Sequence, residues 1–205
     1  MRRLILVPIV HTQADMGTLA KSIKMLGIRK LGRDKWQRTV AAIDELWECI
    51  RREIDKLRLP YARVRLYQDG LPVSGHETEI VRELARSRSC NHEFLLALMQ
   101  QGATLMGTES PDLLLREYGM LQQVLALDDH AEVTRLMAEQ KDLRQELLQQ
   151  RDQFIAERIN ATLGDGEIGL LFLGMLHAPE RWLASDIQVS HLVYMPATRG
   201  ERDVA

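Results

Sequence analysis

Apolar positions along the chain follow two periods. Leu4 to Val10 is a continuous run of Leu, Ile and Val, the pattern of a strand covered on both faces, as in the middle of a parallel sheet. After a Gly-punctuated stretch, Trp36, Val40, Ile43, Trp47, Ile50, Ile54 and Leu57 recur three or four residues apart and predict one face of a helix from about Arg33 to Arg58. Pro60 closes it, and Arg63 to Gln68 reads as a second, more polar strand, for which a sheet edge is the expected place. Two shorter helices follow, near Glu77 to Arg86 and His92 to Gln101, with Asn91 placed to cap the second. Ala103 to Gly107 makes a short third strand. Ser110-Pro111 opens a helix whose buried face is Leu114, Tyr118, Leu121 and Leu125, interrupted at Asp128-Asp129. A single long helix is predicted over Ala131 to Leu163, stopped by Gly164-Asp165-Gly166. Ile168 to Leu173 is the strongest strand candidate, and Ile187 to Val193 adds a last one.

Strands alternating with helices predict one α/β domain over residues 1–197, a mostly parallel sheet of four to five strands with helices on both faces, followed by a polar tail from Thr198 to Ala205. A chain of 205 residues with 45% hydrophobic and 27% charged residues buries an adequate core without staples. Cys49 and Cys90 form neither a disulfide framework nor a zinc-finger spacing, and a reducing cytoplasm is the expected setting. Arg2-Arg3 before an apolar run has the look of a signal peptide, but the run is short and carries Pro8, so it reads as a strand. No apolar stretch approaches the roughly 20 residues that span a bilayer. The formal charge of −2 gives no global attraction to nucleic acid or anionic membrane. Lys21, Lys24, Arg29, Lys30, Arg33, Lys35 and Arg38 crowd one segment and read as a solvated face.

Parallel strands end at one sheet edge, so residues just after them converge however distant they are in sequence. Here the first strand ends at His11, the second at Asp69, the third at Thr108-Glu109 and the fourth at Gly174-Met175-Leu176-His177. Two imidazoles and one or two carboxylates suit zinc, manganese or iron, which could activate a water; without metal the same groups could act as general base and acid. Capping of strand ends explains each group equally well. Arg151 lies on the apolar stripe Leu143, Leu147, Ile155 and Ile159, which aims a guanidinium inward, where it needs a carboxylate: Glu109, Asp69 or Asp152. His76-Glu77 and Asn91-His92 read as helix starts, and His130 and His191 imply no partner.

The stretch Arg151-Asp152-Gln153-Phe154-Ile155-Ala156-Glu157-Arg158-Ile159, followed by a strand closing in Gly174-Met175-Leu176-His177, resembles the TraB/PrgY and TIKI-like group, which carries an R-[DN]-x-x-[MI]-A helix, a strand and G-x-x-H. The resemblance is best over the C-terminal third. It implies an α/β fold with a divalent-metal hydrolytic site built from two histidines, a glutamate and the helix arginine. Carried over, Gly174 and His177 match the second G-x-x-H and Arg151 the helix arginine, while His11 stands where the first histidine falls, with Pro8 in place of its glycine. Glu109 is the candidate glutamate.

The expected function is hydrolysis of an amide or ester bond in a small-molecule or peptide substrate, with His11, His177 and Glu109 as ligands of Mn, Zn or Fe and Arg151 holding the carboxylate or stabilising an oxyanion. The competing class is a non-catalytic protein holding a small ligand, metal or haem in the same pocket. A third class is an interaction protein, homo-oligomeric or otherwise, assembled through its long helices.

Overall fold

The computed structural model describes residues 1–194, apart from the side chains of Met16 and His130. The predicted tail from Thr198 lies outside the described residues.

In the described residues five parallel strands form one sheet in the order β3-β2-β4-β1-β5: β1 (Arg2–Ile9), β2 (Val64–Gln68), β3 (Thr104–Met106), β4 (Ile168–Gly174) and β5 (Ile187–His191). The two central strands are the two continuous apolar runs, β1 and β4, buried on both faces as their sequences require. Among the described residues seven α-helices accompany the sheet: α1 (Ala20–Leu31), α2 (Arg33–Lys56), α3 (Glu77–Arg86), α4 (Cys90–Gln100), α5 (Pro111–Leu125), α6 (His130–Glu139) and α7 (Lys141–Thr162).

The core has two parts, one on each face of the sheet. On one, Ile5, Val7, Ile9, Leu170 and Phe172 pack with Trp47, Ile50 and Ile54 of α2 and Phe94, Leu95 and Leu98 of α4. On the other, Leu4, Leu6, Leu171 and Leu173 pack with Ile155, Ile159 and Leu163 of α7 and its end. The alternation along β1 therefore sends successive side chains to opposite cores. Among the described residues no helix is long and apolar enough to cross a membrane.

Three expectations need correction. β2 is not at the edge: it lies between β3 and β4, and its polarity is absorbed locally, with Arg65 donating to both oxygens of Glu167 at 2.7 and 2.9 Å. The long helix over Ala131 to Leu163 is two helices meeting at Gln140, which ends α6 and starts α7 with ψ near 0°. The Gly-punctuated stretch before α2 holds a helix of its own, α1, with no buried residue and hence no apolar stripe to reveal it.

Candidate metal centre

All five strands run the same way, so the segments leaving them gather at one edge. Asp69 follows β2 immediately. Its amide donates to the Phe172 carbonyl of β4 at 2.9 Å, and its Oδ2 accepts from the Gly174 amide at 3.0 Å. Glu109 follows β3, where its amide and that of Thr108 both donate to the Leu71 carbonyl, each at 3.0 Å. Arg151 and Asp152 come from the middle of α7, both buried. Consecutive helical positions are about 100° apart, so the two side chains serve different partners.

Arg151 is held by three carboxylates. Its Nε and Nη2 donate to the two oxygens of Glu109 at 3.0 and 2.5 Å, Nη2 also donates to Asp69 Oδ1 at 2.8 Å, and Nη1 donates to Glu117 of α5 at 2.7 Å. Of the partners expected for it, Asp152 is the one it does not meet. Asp152 turns instead to the loop after β4, where its Oδ1 lies 2.5 Å from His177 Nδ1 and its Oδ2 accepts from the Ala178 amide at 3.0 Å. With Nδ1 committed, His177 Nε2 faces Asp69 Oδ2 at 3.7 Å.

His11 sits on the other side of Asp69, with Nε2 3.0 Å from Oδ2 and Nδ1 3.8 Å from Asp15 Oδ2. Asp15 belongs to a 3-10 turn over Gln13–Leu19. Its carboxylate accepts from the Thr12 amide at 2.6 Å and from the Ser89 hydroxyl, and stands 3.5 Å from His92 Nδ1. Ser89, rather than Asn91, caps α4, its hydroxyl accepting from the His92 amide. His92 is thus buried beside the cluster rather than a simple helix start.

Electrostatics follow from this packing. Burial opposes the charged form of His11, but its contacts with Asp15 and Asp69 outweigh that and push the imidazole up to about 10. Burial would raise Asp69, yet the hydrogen bond from His11 and the charges of His177 and Arg151 hold it well below the usual carboxylate range. Glu109 goes the other way: burial lifts it, and the Arg151 hydrogen bonds do not fully compensate with Asp69 nearby. For His177, burial is again outweighed, here by Asp152 and Asp69, and the ring is raised.

Asp69, Glu109 and His177 form a group whose three potential ligand atoms lie within 4.8 Å of one another. Of the expected ligand set His177 and Glu109 are in it, and Asp69 stands in the third place. His11 lies outside that group, with its Nε2 3.0 Å from Asp69 Oδ2.

The residues fit a cation on three counts. Among the described residues, five carboxylates (Asp15, Asp69, Glu109, Glu117 and Asp152) share four basic partners, His11, His92, Arg151 and His177. The Asp69–His177 separation of 3.7 Å suits two ligands each about 2.0–2.2 Å from one ion. Finally, a Cβ on Gly174 would stand 3.0 Å from Asp69 Oδ2, 3.7 Å from His177 Cδ2 and 3.9 Å from His11 Nε2, so the absent side chain leaves space among these groups.

Reasoning from strand ends finds His11, Asp69, Glu109 and His177, and the apolar stripe finds Arg151. It misses Asp15, Ser89 and Glu117. A signal for Asp15 exists in Thr12-x-x-Asp15, a capping-box spacing that marks a turn. Nothing marks Glu117, which is half exposed on α5. Comparison of the chain with family models, curated proteins and solved structures finds no match.

Proposed function

We propose that the chain is a divalent-metal-dependent hydrolase of amide or ester bonds, related to the TraB/PrgY and TIKI-like group and working in the cytoplasm on a small molecule or peptide. The observation that carries the reading is the Asp69, Glu109 and His177 group with Asp152 on the far nitrogen of the imidazole. A carboxylate behind a ligating histidine fixes its tautomer and orients its lone pair. Manganese, zinc and iron all suit two carboxylates and one imidazole.

A divalent ion there would supply a Lewis acid and a bound water of lowered pKa. The chain's own residues have separable tasks. Asp152 keeps the proton of His177 on Nδ1 and leaves Nε2 toward Asp69. Arg151 uses Nε and both Nη atoms on carboxylates, which favours a role in holding Glu109 and Asp69 over a role at an oxyanion. His11 has a third of its side chain exposed, and its Nδ1–H has only the distant Asp15 oxygen opposite. It is the proton available to a substrate oxygen or leaving group.

Metal analysis of the purified protein, of His177→Ala and of Asp69→Asn, alongside turnover of simple aryl esters, tests the reading. Stoichiometric metal and turnover, both lost in the variants, are expected. Stoichiometric metal or bound haem without turnover would favour the non-catalytic binding class, and absence of both would sink the proposal.

A further inference from the structure

The apolar stripe of α2 is longer than the sheet it covers. Trp47, Ile50 and Ile54 are buried against β1 and β4, but Trp36, Val40 and Ile43, on the same face nearer the start of the helix, are only half-buried. With Ile23 of α1, these residues wall a cleft of about 700 Å³ whose rim carries the polar groups of His11, Asp44, Arg88 and Glu93. Clefts of this size and apolar character hold small ligands, with a few polar groups fixing orientation.

A single backbone feature helps to shape the cleft. A Cβ on Gly27 of α1 would fall about 2 Å from the Trp36 ring, at 2.1 Å from Cζ3, so the glycine lets the indole lie against α1. Arg88, also in the lining, holds a left-handed backbone, φ 62°, in the tight link between α3 and α4. Asp69, Glu109 and His177 do not line the cleft. Of the cluster, His11 is the residue that touches both.

We infer that this cleft is a subsite for the hydrocarbon chain of an acyl substrate, placed so that the carbonyl at the end of the chain meets His11. The occupant is argued from continuity: the apolar wall of Ile23, Trp36, Val40 and Ile43 runs to the His11 imidazole, whose Nε2 lies 3.0 Å from Asp69 Oδ2, which matches a group that is apolar along its length and carries a polar carbonyl at one end. The inference rests on the hydrolase reading for the bond that is cleaved, but not for the binding of the chain.

Two measurements test it. Across p-nitrophenyl acetate, butyrate, hexanoate and octanoate, kcat/KM is expected to rise two- to fourfold per methylene, the upper figure corresponding to about 0.8 kcal/mol of buried CH₂. Val40→Asp and Ile23→Asp, at half-exposed positions where the fold tolerates charge, should flatten that rise. Independently of turnover, titration with octanamide should change tryptophan emission in the native protein and not in Trp36→Leu. Octanamide binding without ester turnover would keep the subsite and overturn only the hydrolase reading. Turnover indifferent to chain length, with no emission change, would overturn the subsite. So would sedimentation showing that Val40→Asp converts a dimer to a monomer, since the face would then belong to a second copy.

Discussion

His177 Nδ1 lies 2.5 Å from Asp152 Oδ1, and that contact decides which ring nitrogen is left to face Asp69. Asp152 is adjacent in sequence to Arg151, so one turn of α7 holds both the cation that binds the carboxylates and the carboxylate that binds the imidazole. A helix offers this economy because neighbouring positions diverge by about 100°.

The role of Asp152 gives the first prediction. Asp152→Ala removes no atom of the Asp69, Glu109 and His177 group, yet it frees the imidazole to rotate and to place its proton on either nitrogen. Metal affinity is expected to fall about 10–100-fold, the usual cost of losing a carboxylate behind a ligating histidine. Titration calorimetry with Mn²⁺ or Zn²⁺ measures it, and unchanged affinity would mean that packing alone orients His177.

Arg151 is predicted to matter for stability as much as for the site. It is buried and its partners Asp69 and Glu109 are buried with it, so Arg151→Ala leaves two carboxylates without their cation at a cost of about 3–5 kcal/mol. Glu117→Ala breaks the third pair at a half-exposed carboxylate and should cost no more than about 1 kcal/mol. Arg151→Lys is expected to recover only part of the loss, because an ammonium cannot reproduce the fork that engages both Glu109 oxygens. Urea unfolding of the three variants orders them, and equal costs for Arg151→Ala and Glu117→Ala would refute the assignment.

How far the sequence carried this site depends on what kind of signal each residue leaves. Asp69, Glu109 and His177 are legible because a strand end is marked by the apolar run before it and parallel strands share an edge. Arg151 is legible because it interrupts a stripe, although Leu143 at the start of that stripe is exposed. Asp15 leaves little trace, coming from a 3-10 turn too short for a period and bent at Gly17 with φ 50°. The interior position of β2 is hidden by Arg65, whose charge is cancelled by Glu167, a residue distant in sequence. The break at Gln140 has no glycine or proline to announce it. There the side chain donates across to Gln123 of α5 at 2.6 Å, a tertiary contact that no local pattern encodes.

The pH dependence of stability should have two limbs. His11 is raised from 6.5 to about 10 in the folded chain, so its contribution is fully present below pH 6.5 and is lost as pH rises through about 10. Asp15 and Asp69 are lowered from an ordinary value of 3.8, so theirs is present above that value and fades as pH falls below it. Melting temperature should therefore be level between about pH 4 and 6.5 and fall on both sides. His11→Gln should remove most of the alkaline loss between pH 7 and 10; an alkaline limb unchanged in that variant would assign it to other groups.

Gly27 supplies a prediction whose sign runs against intrinsic preference. In the interior of an exposed helix, Gly→Ala ordinarily stabilises by about 1 kcal/mol. Here the added methyl would overlap the Trp36 ring, which must swing away from α1 and give up its packing. Because α1 buries no residue fully, that contact is a large part of what fixes it to α2. Gly27→Ala is expected to lower the melting temperature and to red-shift the Trp36 emission as the indole becomes more exposed. A rise in melting temperature with unaltered emission would mean that the ring accommodates the methyl without cost, and that the close approach of α1 and α2 does not depend on the glycine.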